Sequence, residues 1–456
     1  MSRRTTDRLS PSDRSALLQS MRANGRQTEP AKVAKPAPTK TWDTSFESLP
    51  AFQVFKTQRA AADVLGLSNP FYRVHDAKAG AESLIGNQQV VNFASYDYLG
   101  LNGHPEITAA VADVAGKWGT SVSASRITAG ERRFHRDLEE GLASVYQADD
   151  AAVFVSGHAT AVTVIDALVG SKDLVIHDAL IHNCIMVGTQ LSGAARRTFP
   201  HNDLDVLESI LETSRDSFER VLIVAEGLYS MDGDGPDLAR LVEIKERWGA
   251  WLMVDEAHSI GVLGKTGMGV WEHAGVDPRR VDLWLGTLSK TLVSCGGYVA
   301  GNHALVDYLK FAANGLVYSV GMPGPATVAS IVALDIMKRE PQRVAQLQAN
   351  GRLFIDKARA AGLDVGSSWG FAVTPIIVGD TLRTVILADR LLKRGINAFP
   401  IIPPGVPEKS ARLRFFISAK HTREQIEGAV LATQEELSSL EAAGLNVGTA
   451  NRLLKR

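Results

Sequence analysis

Lys290 stands in the run Gly286-Thr287-Leu288-Ser289-Lys290-Thr291-Leu292, about 35 residues after the segment Asp255-Glu256-Ala257-His258. An amine can hold an aldehyde as a Schiff base, and a carboxylate can keep a pyridine nitrogen protonated so that the ring accepts electrons. Pyridoxal phosphate requires both, which makes Lys290 and Asp255 a candidate pair. A lysine in a Ser/Thr-rich loop is by itself a solvated charge, so the flanking segments carry the argument. Trp251-Leu252-Met253-Val254 is a short apolar run ending at Asp255, the pattern of a buried strand that delivers a carboxylate at its C-terminal edge. Val281 to Leu285 reads the same way and predicts Thr287 and Lys290 just past a second strand end. Two strands would then aim at one crevice.

Five further segments suit the same ligand. Ser156-Gly157-His158-Ala159-Thr160 follows an apolar run and opens a helical stretch, so its backbone N–H groups could cradle a phosphate at a helix N-terminus. His182 could stack its ring on a pyridine face, although alone it would be a hydrogen-bonded structural histidine. His258, three residues after Asp255, could reach the ring's phenolic oxygen if the chain turns there. Ser230 follows another apolar run and could share that oxygen. Arg414, in Arg412-Leu413-Arg414-Phe415, could clamp a substrate carboxylate with its two-pronged guanidinium.

These residues need a large scaffold. The chain has 456 residues, a formal net charge of −1 and 45% hydrophobic residues, enough for a sizeable core and two structured lobes. Balanced, interspersed charge gives no reason to expect nucleic acid or an anionic membrane as a partner. Two cysteines, Cys184 and Cys295, make neither a disulfide framework nor a metal site and suit a reducing compartment. No apolar stretch approaches the ~20 residues of a transmembrane span, and the polar N-terminus does not resemble an export signal, so the expectation is cytoplasmic.

Residues 1–40 are rich in Arg, Ser, Lys, Ala and Pro and read as a flexible tail or docking segment, within which Ser10 to Ala23 could form a short helix. Residues 41–100 form an N-terminal segment with an amphipathic helix from Phe52 to Leu65. Residues 101–335 alternate helical stretches with short apolar strands at Ala151-Val155, Leu174-Ile176, Val221-Val224, Trp251-Val254, Leu283-Leu285 and Tyr298-Ala300. That alternation predicts an α/β fold with a mostly parallel central sheet. After a helical stretch from Thr327 to about Ala361, strands at Val373-Val378 and Leu413-Ile417 predict a smaller C-terminal α+β domain within residues 336–440, followed by a tail at 441–456.

Across residues 50–435 the chain resembles the α-oxoamine synthase family of fold-type I pyridoxal phosphate enzymes, a group that includes serine palmitoyltransferase, aminolevulinate synthase and oxononanoate synthase. Seven ordered segments carry the resemblance: Asn92 to Leu101, Thr128-Ala129-Gly130 with His135 and Glu139, the Ser156 loop, Asp255 to Gly261, Gly286 to Lys290, Gly296-Gly297-Tyr298, and Arg412-Leu413-Arg414. It implies that Lys290 is the Schiff-base lysine and Asp255 the pyridinium partner. It further implies that His182 stacks, that His258 and Ser230 act around the phenolic oxygen, and that the Gly157 and His158 backbone holds the phosphate with the Thr287 hydroxyl. Arg414 would hold the amino-acid carboxylate, and the active site would lie at a homodimer interface. The chain departs from the family pattern at Tyr96, His158, Thr160, Val320, Gly321 and Ile402, which bears on phosphate and substrate contacts.

The reaction implied is decarboxylative condensation of a small L-amino acid with an acyl thioester to give an α-amino ketone. The donor would be acyl-CoA or an acyl carrier protein; the N-terminal tail and the Val320-Gly321 departure, which resembles variants of polyketide or prodiginine-like assembly lines, suit the carrier protein. An aminotransferase or aldolase on the same scaffold, or a non-catalytic partner subunit, are the competing readings. Lys290, Asp255 and His258 argue against a dead subunit.

Overall fold

In the computed structural model, Ser12 and residues 43–64, 66–407 and 409–446 are described. Apart from Ser12, the helix expected between Ser10 and Ala23 lies outside them, as does most of the expected tail. The chain divides into two compact units, Met1–Leu65 and Gly66–Arg456.

The first unit contains helix α1 (Pro50–Val64), close to the expected bounds. Its apolar residues are not buried as an amphipathic reading would have them: Phe52, Val54 and Phe55 are all exposed.

The second unit opens with a hairpin of β1 (Glu82–Ile85) and β2 (Gln88–Asn92), followed by α2 (Pro105–Trp118) and α3 (Arg133–Val145). Its seven-stranded sheet contains β3 (Asp150–Phe154), β4 (Leu174–Asp178), β5 (Ala195–Phe199), β6 (Val221–Glu226), β7 (Trp251–Asp255), β8 (Leu283–Thr287) and β9 (Gly297–Gly301) in the order β3-β9-β8-β7-β6-β4-β5. Five strands, β8 through β5, pair in parallel, while β9 runs antiparallel to both of its neighbours. Alternation along each strand feeds two cores. Leu174, Ile176, Val221 and Ile223 belong to one apolar cluster, and their neighbours Val175, Leu222 and Val224 belong to another. A sheet buried on both faces explains why these strands read as continuous apolar runs.

Several boundaries differ from expectation. Thr287 is the last residue of β8 rather than lying past its end. The stretch from Thr327 to Ala361 is two helices, Gly324–Arg339 and Gln342–Ala360, separated at Glu340-Pro341, because proline has no N–H to continue a helical ladder.

The C-terminal region contains β10 (Val373–Gly379), β11 (Ile396–Asn397), β12 (Phe399–Ile401) and β13 (Ala411–Phe416). β13 lies between β10 and β12 in an antiparallel sheet, whereas β11 pairs in parallel with β2. The hairpin at 82–92 thus shares a sheet with a C-terminal strand.

Candidate active site

The parallel strands deliver polar side chains at their C-terminal ends. Glu226 closes β6, Asp255 closes β7 and Thr287 closes β8, and Glu226 and Asp255 are register partners. A cavity of about 320 Å³ opens over these ends. Seven of the nine residues expected from sequence line it: Gly157, His158, His182, Asp255, His258, Thr287 and Lys290. Ser230 and Arg414 are not among its lining residues; they meet each other, Arg414 Nη1 donating to the Ser230 carbonyl at 3.0 Å. Lining residues that sequence reasoning did not single out include Cys184, Glu226 and Ser289.

At one end, Ser156 caps α4 (Gly157–Leu168), its hydroxyl accepting from the Ala159 N–H at 3.3 Å. The first N–H groups of a helix lack intrahelical partners and favour anions. A Cβ on Gly157 would lie 2.7 Å from Thr287 Oγ1, and one on Gly297 would lie 2.6 Å from the Gly157 Cα. Backbone packed this closely forms a narrow cradle. The Thr287 hydroxyl is fixed by donation to the Gly296 carbonyl at 3.0 Å and lies 2.8 Å from Ser289 Oγ.

In the same cavity, burial lowers the Lys290 ammonium to about 8, against the opposing pull of Asp255 and Glu226. Its Nζ lies 5.6 Å from the Tyr96 ring centre. Asp255 is buried and accepts the Ala257 N–H at 2.9 Å. Burial raises its carboxyl, and Lys290 and the Ala257 N–H oppose that rise. Burial, with the neighbouring Asp255 charge, lifts Glu226 to about 8. Glu226 also joins two segments, Oε1 accepting the His182 N–H at 2.7 Å and Oε2 the Ser230 N–H at 3.2 Å.

His182 is the N-cap of α5 (Asn183–Ser192). Its Nδ1 accepts the Cys184 N–H at 3.3 Å, so Nε2 carries the proton of the neutral ring, and burial keeps the ring neutral by lowering its pKa. His258 sits in a turn, Nδ1 2.7 Å from the Tyr98 hydroxyl, its ring stacked on Phe416 with an interplanar angle of 13°. Burial, reinforced by Lys290, Arg414 and His182, drives its pKa well down. The Arg414 guanidinium lies 4.4 Å from the Phe416 ring centre, and its Nε is buried without a hydrogen-bond partner. An orphaned buried donor is what a carboxylate would satisfy.

An amine near neutrality, a buried carboxylate, a planar imidazole and a tight N-terminal cradle fit the aldehyde, ring nitrogen, ring face and phosphate of pyridoxal phosphate. The sequence model of the aminotransferase class I and II family matches residues 88–432. The 8-amino-7-oxononanoate synthase of Symbiobacterium thermophilum is 38% identical over 350 residues, 77% of this chain and 89% of that protein. The 4-hydroxy-2,2'-bipyrrole-5-methanol synthase PigH of a Serratia species is 40% identical over 362 residues, which is 79% of this chain but 54% of PigH, so the chain spans about half of that relative's length. A serine palmitoyltransferase from S. paucimobilis, solved with pyridoxal phosphate and myriocin, superimposes with a TM-score of 0.83 at 26% identity, covering 87% of this chain and 100% of that one.

Proposed function

The chain belongs to the α-oxoamine synthase family of pyridoxal phosphate enzymes, within aminotransferase classes I and II, and from that premise we propose that it condenses a small L-amino acid with an acyl thioester, releasing carbon dioxide and forming an α-amino ketone. The observation that carries this assignment onto particular residues is the cavity that brings together Lys290, Asp255, His182 and the Gly157 cradle.

When bound, pyridoxal phosphate supplies an aldehyde for amines and a protonated ring that stabilises negative charge at the substrate's α-carbon. Gly157 and His158 N–H groups would hold its phosphate, joined by the Thr287 hydroxyl once its proton turns from the Gly296 carbonyl. Asp255 keeps the ring nitrogen protonated, and its own burial makes the ion pair worth more than it would be in water. His182 would cover the ring face and, with its proton on Nε2, would offer a donor to an incoming carbonyl. Lys290, lowered by burial to about 8, is neutral near pH 7 more often than an ordinary lysine and would accept the α-proton from the amino acid. Tyr98 fixes the ring of His258, which would meet the phenolic oxygen, a role that Ser230 would share. Arg414, held beside the Ser230 segment, would bind the substrate carboxylate and so orient the bonds at the α-carbon.

Glycine, alanine and serine labelled in the carboxyl group are each incubated with the cofactor-loaded enzyme and an acyl thioester. Release of labelled carbon dioxide and free thiol in equal amounts supports condensation. Label retained in the product, or conversion of the cofactor to its amine form without any thioester, supports the aminotransferase reading.

The donor is carried by coenzyme A or by acyl carrier protein. The Val320-Gly321 departure supports the carrier protein, and relative rates with the two donors decide it. A cytoplasmic homodimer belongs to the same reading: both cysteines are free, and Tyr318 and Val320 expose apolar surface. Among the described residues no helix is long and apolar enough to cross a membrane.

A further inference from the structure

His201 is not a lining residue of the cofactor cavity, yet both of its ring nitrogens are committed. Nδ1 lies 2.9 Å from Asp178 Oδ1, and Nε2 lies 3.1 and 3.0 Å from the two oxygens of Asp234. Carboxylates only accept, so each nitrogen carries a hydrogen and the ring is an imidazolium. Asp178 and Asp234 are both buried.

The two partners sit on the two segments that matter to the site. Asp178 ends β4 and, four residues before His182, also accepts the N–H groups of Leu180 and Asn202, each at 2.8 Å. Asp234 lies four residues after Ser230, and its carbonyl accepts the Tyr229 N–H at 2.7 Å. The Tyr229 ring meets His201 edge-on at 4.6 Å. The same segment is fastened to β13. Ser230 O accepts from Arg414, Met231 O accepts from Arg412 at 3.2 Å, and Asp232 pairs with Arg412 at 2.7 Å.

We propose that His201 is a positioning residue: as a fixed cation it braces the segment carrying His182 against the segment carrying Ser230, and through the latter it sets where Arg414 stands. The inference rests on the roles assigned above to His182 and Arg414. Two flanking carboxylates outweigh the cost of burial and raise the imidazole to about 10, so the brace persists across neutral pH. Asp178 at the end of β4, and Asp234 and Tyr229 after β6, are the titratable groups of the described residues in contact with the ring. Asn202 beside it is neutral and donates to Gly235 O at 3.1 Å.

The test reads amino-acid binding to the cofactor-loaded enzyme from the change in cofactor absorbance, between about pH 6 and pH 9, a window that contains the ordinary histidine value of ~6.5. Asp234→Asn keeps an acceptor but removes one charge, so His201 releases its proton at lower pH. Its amino-acid affinity is expected to fall by about threefold or more as pH rises through that window, a limb that wild type lacks. His201→Gln cannot donate to both carboxylates and is expected to weaken binding by about ten- to a hundredfold at every pH, with unchanged helical circular dichroism. If His201→Gln does not fold, the Asp234→Asn profile decides alone. Wild-type affinity and pH profile in Asp234→Asn, with only a lower melting temperature, would overturn the proposal. Normal amino-acid binding that responds to these substitutions, in an enzyme that condenses no thioester, would retire the proposed reaction and leave the brace standing.

Discussion

Replacing Gly157 with alanine tests the phosphate cradle. The added Cβ would lie 2.7 Å from Thr287 Oγ1 and 3.0 Å from Thr287 Cβ, against an ordinary contact distance of ~3.5–4.0 Å. Thr287 cannot yield easily, because it ends a fully buried strand and its hydroxyl is held by the Gly296 carbonyl. The helix start must shift instead, at a cost of about 1–3 kcal/mol for overpacking. That shift moves the Gly157 and His158 N–H groups away from where a phosphate would sit. At ~1.4 kcal/mol per decade, pyridoxal phosphate affinity should fall by about five- to a hundredfold. The assay titrates apoenzyme with pyridoxal phosphate and follows absorbance. Gly170→Ala, whose new Cβ would have no atom within 4 Å, serves as the matched control. If Gly157→Ala binds the cofactor within about twofold of the control, the phosphate lies elsewhere and the argument from close backbone approach is wrong.

Three other perturbations probe the charges beneath the ring. Only a neutral amine attacks an aldehyde, so the rate at which apoenzyme captures pyridoxal phosphate should rise with pH through about 8 and then level off; a midpoint near the ordinary lysine value would show that Lys290 is not desolvated. Asp255→Asn can still accept the Ala257 N–H but carries no charge, and turnover should drop by about two to four orders of magnitude with little change in melting temperature. Near-wild-type turnover would remove Asp255 from the ring nitrogen. Glu226 has its folded pKa raised, so wild type holds its full contribution below the ordinary carboxylate range and loses it as pH rises toward about 8. Glu226→Gln cannot ionise, and its melting temperature relative to wild type should therefore improve steadily between about pH 5 and pH 8; parallel melting curves across that window would show that Glu226 ionises normally.

Lys290 and Asp255 were readable because each follows a strand that is apolar on both faces, and a polar residue ending such a run stands out. The Ser156 cap was readable for the same reason. β5 was not, since Ala195-Arg196-Arg197-Thr198-Phe199 is an edge strand whose two arginines are exposed, leaving no apolar signature. Glu226 ends the apolar run before Ser230, but its chemistry comes from facing Asp255 across the ladder, which a one-dimensional reading does not contain. Tyr98 was read as family pattern and proves to fix His258 from 160 residues away. The mixed sheet of β2 and β11 hides the N-terminal hairpin's allegiance, because its partner strand is two residues long and some 300 residues distant.

The order of the large sheet also bears on when the protein can acquire its cofactor. β9 is the last of the seven strands to be synthesised, yet it lies between β3, the first, and β8. Until it inserts, β3 has no neighbour in the sheet, and the closure joins positions roughly 150 residues apart, a slow step for a folding chain. Gly296 and Gly297 arrive with β9 and complete the pocket that Gly157 and Thr287 begin. A nascent chain that has already exposed Lys290 would therefore still lack a finished anion seat. Tight cofactor retention therefore reports a completed sheet.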